Sequence, residues 1–377
     1  MTDHLSRRLM LAGAAASVPT LAFAADKPVL LGTPSTVLNG RVFGENAPPN
    51  YYPDPDVLIL DKSASELFTS HSVIKRLGTG FQWAEGPAWS NEGQYVVFSD
   101  VMGDVQYRYI WDTGIITPFR TPSFNSNGNT FDAIGRQISG QDFPRRVVRW
   151  EHDGSMTVLA DSYDGQPLNS PNDFAVHKDG SVWFSDPYYG GRLSEGHPDD
   201  GPGPMNPGGL ANNRIGNPGS GILGGVHQTL PAAIYRIDPS GKLDQVLSGK
   251  VPNGLAFSPD YSKLYFLWGA DMMVADVQGG KLANMRVFTD FMVDGVRCGG
   301  DGHRVDVAGN VWSGSTSVLG YSGATVWNPA GKCIGRIRLP EVCANVCFCG
   351  PKRDWLFMAA SQSVYLLRLN IQGAAIS

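Results

Sequence analysis

The sequence contains few charged residues and no block of positive charge. Asp, Glu, Lys and Arg make up 17% of the 377 residues, the formal net charge is −5, and no Lys/Arg block is present. Nucleic acids and anionic membrane surfaces attract proteins through clustered positive charge. The composition therefore argues against both of these partners.

Several common catalytic motifs are also missing. The sequence has no Gly-rich phosphate loop, no Gly-x-Ser-x-Gly nucleophile elbow and no His-Glu-x-x-His metal motif. The absence of these patterns argues against P-loop nucleotide chemistry, a serine hydrolase of the α/β type and a zinc metalloprotease.

Cysteine is scarce and confined to the last part of the chain, at positions 298, 333, 343, 347 and 349. This spacing is not that of a zinc site, and the odd number leaves at least one thiol without an intramolecular partner. We interpret the cysteines as small buried residues, although export would permit a disulfide. A nucleophilic Cys298 is an alternative, but no nearby His would activate it.

The first 24 residues resemble an export signal. Arg7-Arg8 precedes an apolar segment that is too short to span a bilayer, and Ala22-Phe23-Ala24 fits a small-x-small cleavage site. The arginine pair is typical of the twin-arginine route, and general secretion is the alternative. We expect a periplasmic protein that does not insert into the membrane once the signal is removed.

The rest of the chain contains a sixfold repeat. In each copy a polar residue, called an anchor below, is followed eight residues later by a turn and then by an apolar, strand-like run. The anchors are Glu85, Asn127, Asn172, Asn253, Asp301 and Asn345. Successive anchors are 42, 45, 81, 48 and 44 residues apart. Because propeller blades repeat every ~40–50 residues, the pattern predicts an all-β fold, a six-bladed β-propeller with four-stranded blades around a central metal site.

The repeat also predicts the domain organisation. Residues 25–70 form a Pro-rich arm on the outside, and residues 71–377 form the propeller. A strand over 71–77 should pair with the final strand at 364–369 and close the ring, which removes open sheet edges. The long interval contains a Gly/Pro-rich insertion at 192–231, either a lid over the site or a surface decoration. Weak site candidates within it are His197, Asn212, Asn213 and His227.

Side chains that enter the inner strands of a propeller converge on one mouth of the axial channel. The six anchors supply two carboxylates and four carboxamides, an all-oxygen set that suits a hard divalent cation, most plausibly calcium. Without a cation, a proton or a cationic ligand between them, Glu85 and Asp301 would repel each other. A cation there could polarise a carbonyl or phosphoryl oxygen, so hydrolysis is the natural chemistry. His303 adds a possible acid/base, or else a structural residue.

Five motifs carry a resemblance to a known family. They are Trp83-Ala84-Glu85-Gly86-Pro87, Ser170-Pro171-Asn172-Asp173, Phe184-Ser185-Asp186-Pro187-Tyr188-Tyr189-Gly190, Pro252-Asn253-Gly254-Leu255-Ala256-Phe257-Ser258-Pro259-Asp260 and Gly300-Asp301-Gly302. In this order and spacing, over about residues 71–370, the sequence resembles the gluconolactonase family, which includes regucalcin and the luciferin-regenerating enzyme. The resemblance implies a six-bladed, calcium-dependent propeller that opens sugar lactones, with D-glucono-1,5-lactone as the reference substrate.

The resemblance also implies roles for individual residues. The family's metal ligands correspond to Glu85, Asn172, Asn253 and Asp301, and Asp301 is also the proposed base or nucleophile, attacking the lactone directly or through water. Asn127 and Asn129 match a motif of the bacterial members and are candidates for binding substrate hydroxyls, together with Asn345. Animal members have a substrate-binding arginine where this chain has Ser170, so that contact does not transfer.

Alternatives to this interpretation are open at the level of sequence. The cation could be Zn²⁺, Mn²⁺ or Mg²⁺ instead of Ca²⁺. The protein could be a lactonase of other specificity, a phosphotriesterase, or a metal-containing propeller that binds without catalysis.

Overall fold

A computed structural model describes residues 41–44, 47–49, 52–187, 189 and 230–374. The predicted signal at 1–24 and the candidates His197, Asn212, Asn213 and His227 lie outside the described residues. Within the described part of the chain, no helix combines the length and apolar character that a bilayer span requires.

The described residues form strands joined by short turns. The first strands are β1 (Val57–Ile59), β2 (Lys75–Ser90), β3 (Tyr95–Asp100), β4 (Val105–Ile110), β5 (Ile115–Arg120), β6 (Ser126–Phe131), β7 (Gln137–Gln141), β8 (Arg146–Trp150) and β9 (Met156–Ala160). They are followed by β10 (Ser162–Tyr163), β11 (Gln166–Pro167), β12 (Phe174–Val176), β13 (Val182–Asp186), β14 (Ala233–Ile237), β15 (Leu243–Ser248), β16 (Pro252–Phe257), β17 (Lys263–Trp268) and β18 (Asp271–Gln278). The last are β19 (Lys281–Thr289), β20 (Met292–Val293), β21 (Val296–Arg297), β22 (His303–Val305), β23 (Val311–Ser315), β24 (Gly323–Trp327), β25 (Cys333–Arg338), β26 (Asn345–Cys349) and β27 (Trp355–Arg368). A 3-10 helix spans Lys62–Glu66.

Asp and Gly residues in the turns explain why the strands end where they do. Between β6 and β7, Asp132 Oδ1 accepts hydrogen bonds from the backbone N–H groups of Ile134 (3.1 Å) and Arg136 (2.9 Å). Gly135 completes the turn at a φ of +83°, a conformation that glycine adopts without strain. The Asp132 carboxylate thus supplies the hydrogen-bond acceptor that these turn N–H groups would otherwise find in a neighbouring strand, and the chain reverses direction here.

The strands pair into five large sheets, so the prediction of six separate four-stranded blades is wrong. Three sheets have four strands each, β6–β9, β12–β15 and β16–β19, and a fourth has the order β1-β25-β24-β23-β22. The fifth sheet has six strands in the order β26-β27-β2-β3-β4-β5, and two short pairs, β10-β11 and β20-β21, lie outside these sheets.

The length of β2 and β27 accounts for the six-stranded sheet. β2 has 16 residues and β27 has 14, more than one blade requires. The first part of β2, from Lys75 to Thr79, pairs with β27 between Ser363 and Leu366, and its second part pairs with β3. The predicted pairing of the two ends of the chain is therefore confirmed, although the strand begins at Lys75 instead of His71.

The sheets are arranged around an axis. The strands β2, β6, β12, β16, β22 and β26 each contact the next in this order, and β26 contacts β2, so that they form a closed ring. Sheets that radiate from a ring of inner strands form a β-propeller. The prediction of an all-β propeller is confirmed in this respect.

The hydrophobic core lies between neighbouring sheets. Trp183 on β13 packs edge-on against Phe257 on β16, with ring centroids 5.7 Å apart, and Trp312 on β23 packs against Phe348 on β26 at 5.8 Å. Burying an aromatic side chain of this size stabilises the fold by about 2 kcal/mol. Because this packing is lateral, the axis remains free for the polar anchors.

The arm is fastened to the fold by a buried ion network. Arg41 Nη2 lies 2.8 Å from Asp54 Oδ2, and Arg41 Nη1 lies 3.3 Å from Asp56 Oδ2. Arg338 on β25 reaches the other oxygen of Asp56, with an Nε–Oδ1 distance of 3.1 Å. Together with the pairing of β1 and β25, these contacts hold the arm against the outermost strand of its sheet.

Candidate functional site

Glycine brings the anchors close together. A glycine follows the anchor in four of the six repeats, at Gly86, Gly128, Gly254 and Gly302. A β-carbon on Gly86 would lie 2.1 Å from the backbone oxygen of Asn127, and one on Gly302 would lie 2.0 Å from Asn345 Cγ. No other residue permits such an approach, so glycine allows adjacent inner strands to meet at the level of the anchors.

Anchors on neighbouring inner strands are hydrogen-bonded in pairs. The Asn345 amide donates to the Glu85 carboxylate, and the Asn253 amide donates to the Asp301 carboxylate. Glu85, Asn127, Asn172 and Asn345 are buried, whereas Asn253 and Asp301 are partly exposed. The structure therefore places Glu85 beside Asn345 and Asp301 beside Asn253 in the ring of inner strands, and Asp301 is the more exposed of the two anchor carboxylates.

The two anchor carboxyls resist ionisation in this setting. Burial, and next the nearby Asp173 carboxylate, raise the pKa of Glu85 to about 7. Burial also raises the pKa of Asp301 well above its ordinary value, with further contributions from the negative charges of Glu85 and Asp173. A compensating positive charge between these groups would favour their ionised forms.

Two anchor carbonyl oxygens have unused hydrogen-bonding capacity. Asn127 Oδ1 and Asn253 Oδ1 are buried and have no hydrogen-bond partner. A buried acceptor that is left unsatisfied costs about 1–3 kcal/mol. No cluster of three or more His, Cys, Asp and Glu with the geometry of a metal site occurs among the described residues. A cation at this mouth would therefore need the Asn oxygens, which suit a hard cation.

A carboxylate clamp holds the bend that leads to Glu85. Asp100, the last residue of β3, accepts hydrogen bonds from the backbone N–H groups of Gln82 (3.1 Å) and Trp83 (2.9 Å) through its Oδ1 atom. These donors lie three and two residues before Glu85. The clamp fixes the backbone at the point where the chain enters the ring.

The same device precedes Asn172. Asp186, the last residue of β13, accepts hydrogen bonds from the backbone N–H groups of Asn169 (2.8 Å, to Oδ2) and Ser170 (2.8 Å, to Oδ1). Burial raises the pKa of Asp186 to about 7. Ser170, which occupies the position of a substrate-binding arginine in animal relatives, is itself buried in this structure.

Sequence reasoning missed an ion pair inside the ring. Asp173 Oδ2 and Arg304 Nη1 are 3.7 Å apart, and their side chains are only 1% and 6% exposed. Arg304 Nη1 also donates to the backbone oxygen of His303 at 2.8 Å. The sequence held one signal of this ion pair. Asp173 directly follows its anchor, at the position that glycine occupies after four of the other anchors.

Asn129 is not exposed, although its predicted role of binding a substrate hydroxyl would require exposure. Its side chain is fully buried; its amide donates to the Gly86 oxygen (2.8 Å) and to Ser99 Oγ (3.0 Å). Its Oδ1 atom accepts from Gln106 Nε2 (2.9 Å) and Ser139 Oγ (2.7 Å). These contacts use the polar atoms of the side chain within the protein. These contacts favour a structural role for Asn129 over the expected contact with a substrate hydroxyl, which stays a prediction.

His303 is also held by the backbone. It is fully buried, with Nε2 3.1 Å from the Tyr265 oxygen and Nδ1 3.3 Å from the Asp301 oxygen. Burial lowers the pKa of His303 and so favours its neutral form. The geometry fits the structural alternative better than the expected acid/base role.

The cysteines are buried or partly buried, and all five are free thiols. Burial raises the pKa of Cys298, and it raises that of Cys347 to about 12. Since the thiolate is the reactive form, these thiols are poor nucleophiles. The interpretation of small buried residues is confirmed, and the alternative of a nucleophilic Cys298 is not supported.

Comparison with known proteins agrees with the motifs. The gluconolactonase of Zymomonas mobilis is 27% identical over 404 residues, an alignment that covers 99% of each chain. A solved structure of a gluconolactonase from Xanthomonas campestris is 26% identical, with a TM-score of 0.68, and the match covers 83% of this chain and 94% of that one. A solved structure of a calcium-binding regucalcin from Agrobacterium tumefaciens is 18% identical, with a TM-score of 0.60 over 79% of this chain and 94% of that one, which shows a shared fold only.

The match to a family model covers most of the propeller. Residues 83–362, the stretch that contains all six anchors, match the model described as the SMP-30/Gluconolactonase/LRE-like region. The chain therefore belongs to the SMP-30/gluconolactonase/LRE-like family.

Proposed function

We propose that this protein is a divalent-cation-dependent hydrolase that opens sugar lactones, with D-glucono-1,5-lactone as its first candidate substrate. The convergence of Glu85 and Asp301 in one mouth, beside carbonyl oxygens that lack partners, carries this proposal. The relatives from Zymomonas mobilis and Xanthomonas campestris, both named gluconolactonases, support the substrate class.

The chemistry of the donor set supports a cation. Glu85, Asn172, Asn253 and Asp301 would hold it, and the unsatisfied Asn253 Oδ1 supplies a ligand that has no other partner. All-oxygen donors favour calcium. When bound, such a cation polarises a carbonyl oxygen and makes bound water more acidic.

The chain's own residues position the reaction. Asp301 is the anchor carboxylate on the accessible side of the mouth, so its oxygens can attack a lactone carbonyl carbon or accept a proton from the attacking water. Asn127 Oδ1, which has no partner, can accept a hydrogen bond from a ring hydroxyl. The Asn345 amide, on the neighbouring inner strand, donates to the Glu85 carboxylate and holds it in place.

The test compares lactone opening with calcium binding in the same preparations. We expect hydrolysis of D-glucono-1,5-lactone, followed in a pH-stat, to stop with a chelator and to return with calcium. Asp301→Asn should lower the rate by about 100-fold or more, while calorimetry still detects calcium. Asp294→Asn, an exposed residue seven positions earlier, is the control and should behave like the parent.

Two results would contradict the proposal. A parent-like rate in an Asp301→Asn protein that retains calcium would remove the role of Asp301. Turnover that does not exceed spontaneous lactone opening would favour a binding propeller. If the protein instead hydrolyses a phosphotriester or another lactone in the same substrate panel, that compound class replaces D-glucono-1,5-lactone as the proposed substrate.

We also propose that the protein is exported to the periplasm, on the basis of Arg7-Arg8 and the site at Ala22-Phe23-Ala24. Replacing Arg7-Arg8 with two lysines should leave the precursor in the cytoplasm, with residues 1–24 still attached. Cell fractionation followed by mass measurement distinguishes this from unimpeded export.

A further inference from the structure

We propose that Asp173 and Arg304 balance each other's charge, so that the mouth keeps the two negative charges of Glu85 and Asp301 and selects a divalent cation over a trivalent one. The inference rests on the proposed cation site and concerns its charge selectivity. Neither residue is among the ligands assigned above.

Asp173 adds a third carboxylate to the two anchor carboxyls. It directly follows Asn172, and its negative charge acts on both Glu85 and Asp301. Its Oδ2 atom is buried and accepts no hydrogen bond. Its Oδ1 atom accepts one hydrogen bond, from the Phe174 N–H at 3.1 Å. A buried carboxylate with so few donors exerts a strong field on its neighbours.

Arg304 places one positive charge in the same ring. It follows Asp301 by three residues, and its guanidinium favours the ionised form of Glu85. The distance of 3.7 Å to Asp173 allows an ion pair but is too long for a direct hydrogen bond.

The charges of the four groups determine which cation fits. Three ionised carboxylates and one guanidinium leave two negative charges, which one divalent cation balances. A trivalent cation would leave a positive charge in a buried ring, and a monovalent cation would leave a negative one. Uncompensated charge away from water is costly, so a site with this balance disfavours both, and losing either member of the pair would upset the balance.

The test measures Ca²⁺ and Tb³⁺ binding to the full-length protein and to three variants, by calorimetry and terbium luminescence. Arg304→Met leaves three negative charges and should raise the affinity for Tb³⁺ more than that for Ca²⁺, shifting the affinity ratio by roughly 10-fold. Asp173→Asn leaves one negative charge and should shift the ratio in the opposite direction. The double variant Asp173→Asn/Arg304→Met restores two negative charges and should return the ratio to the parent value.

The double variant also guards against misfolding. Each single variant leaves one buried group without its partner, whereas the double variant does not, and circular dichroism shows which proteins are folded. If both single variants fail to fold, the double variant still decides, because a ratio that differs from the parent by 10-fold would overturn the inference. An unchanged ratio in a folded single variant would also overturn it. A parent protein that binds neither ion would instead refute the proposed cation site, and with it the proposed function.

Discussion

Asp100 and Asp186 occupy equivalent positions in their repeats and perform the same task. Each is the last residue of the second strand of its repeat, and each accepts two backbone N–H groups just before an anchor. Both carboxylates are buried, so the backbone N–H groups replace water as their hydrogen-bond donors. The positions of Glu85 and Asn172 in the mouth therefore depend on residues that do not face the channel themselves.

The clamp at Asp186 can be tested through calcium affinity. Asp186→Ala frees the backbone before Asn172, and we expect the affinity for calcium to fall by about 10-fold or more, as for other residues that orient metal ligands. Asp179→Ala is the matched control, because Asp179 accepts the Ser181 N–H at 2.8 Å in a turn beyond the other end of the inner strand. Calorimetry that shows equal affinities for the two variants would contradict the role of the clamp.

Glu85 should be essential for cation binding. Glu85→Gln preserves the shape of the side chain and removes one charge from the mouth, so calcium affinity should fall by roughly 100-fold. Glu92→Gln, an exposed residue in the turn after β2, should leave the affinity unchanged. Parent-like binding by Glu85→Gln in calorimetry would place the cation elsewhere.

The stability of the cation-free protein should decrease as the pH rises. The pKa of Glu85 is raised from 4.5 to about 7, so the folded state holds more protons than the unfolded state between these values. This contribution is fully present below pH 4.5 and is lost as the pH rises through 7. In EDTA, the Tm should therefore be higher at pH 5 than at pH 8, and added calcium should raise it most at pH 8.

Glu85→Gln identifies the source of this pH dependence. The variant cannot titrate at position 85, so its Tm in EDTA should change less between pH 5 and pH 8 than that of the parent. Asp186, with its pKa raised to about 7, contributes in the same direction and should account for part of the remaining slope. If the Tm in EDTA changes with pH equally in parent and variant, Glu85 does not contribute to the pH dependence of stability.

The ion network of the arm should stabilise the whole propeller. Arg41→Met leaves Asp54 and Asp56 buried with one partner fewer, and removing one member of a buried ion pair costs about 3 kcal/mol. Arg368→Met is the control, since Arg368 is 57% exposed and lies 4.0 Å from Asp354. In urea unfolding, the free energy of unfolding should fall by a large amount for Arg41→Met and by about 0.5 kcal/mol or less for Arg368→Met.

The propeller and the meeting of the anchors were predictable because both follow from the repeat. A fixed spacing places Glu85 and Asn345 at the same level of the ring whatever the intervening loops do. The division into five sheets was not predictable from that spacing. It depends on β2 and β27 continuing past the length of a single blade, and no local pattern near Lys75 indicates that its strand extends to Ser90.

The roles of Asn129 and Arg304 depend on contacts between distant segments. Asn127 and Asn129 lie two positions apart, a spacing that would place them on the same face of a regular strand, but the register of β6 shifts between Ser126 and Asn129. The difference between them comes from Gln106 and Ser139, which saturate Asn129 and belong to other strands. Likewise, Arg304 has a partner only because the ring brings Asp173 to it across 131 positions of sequence, the difference between 304 and 173.

The joining of the two ends of the chain in one sheet has a consequence for biosynthesis. The segment that begins β2 is synthesised long before its partner between Ser363 and Leu366, because most of the other strands lie between the two in sequence. The nascent chain must therefore keep an unpaired strand edge while those strands are made. The contact between Glu85 and Asn345 can form only after Asn345 has been synthesised, and chaperones have that whole period in which to protect the edge.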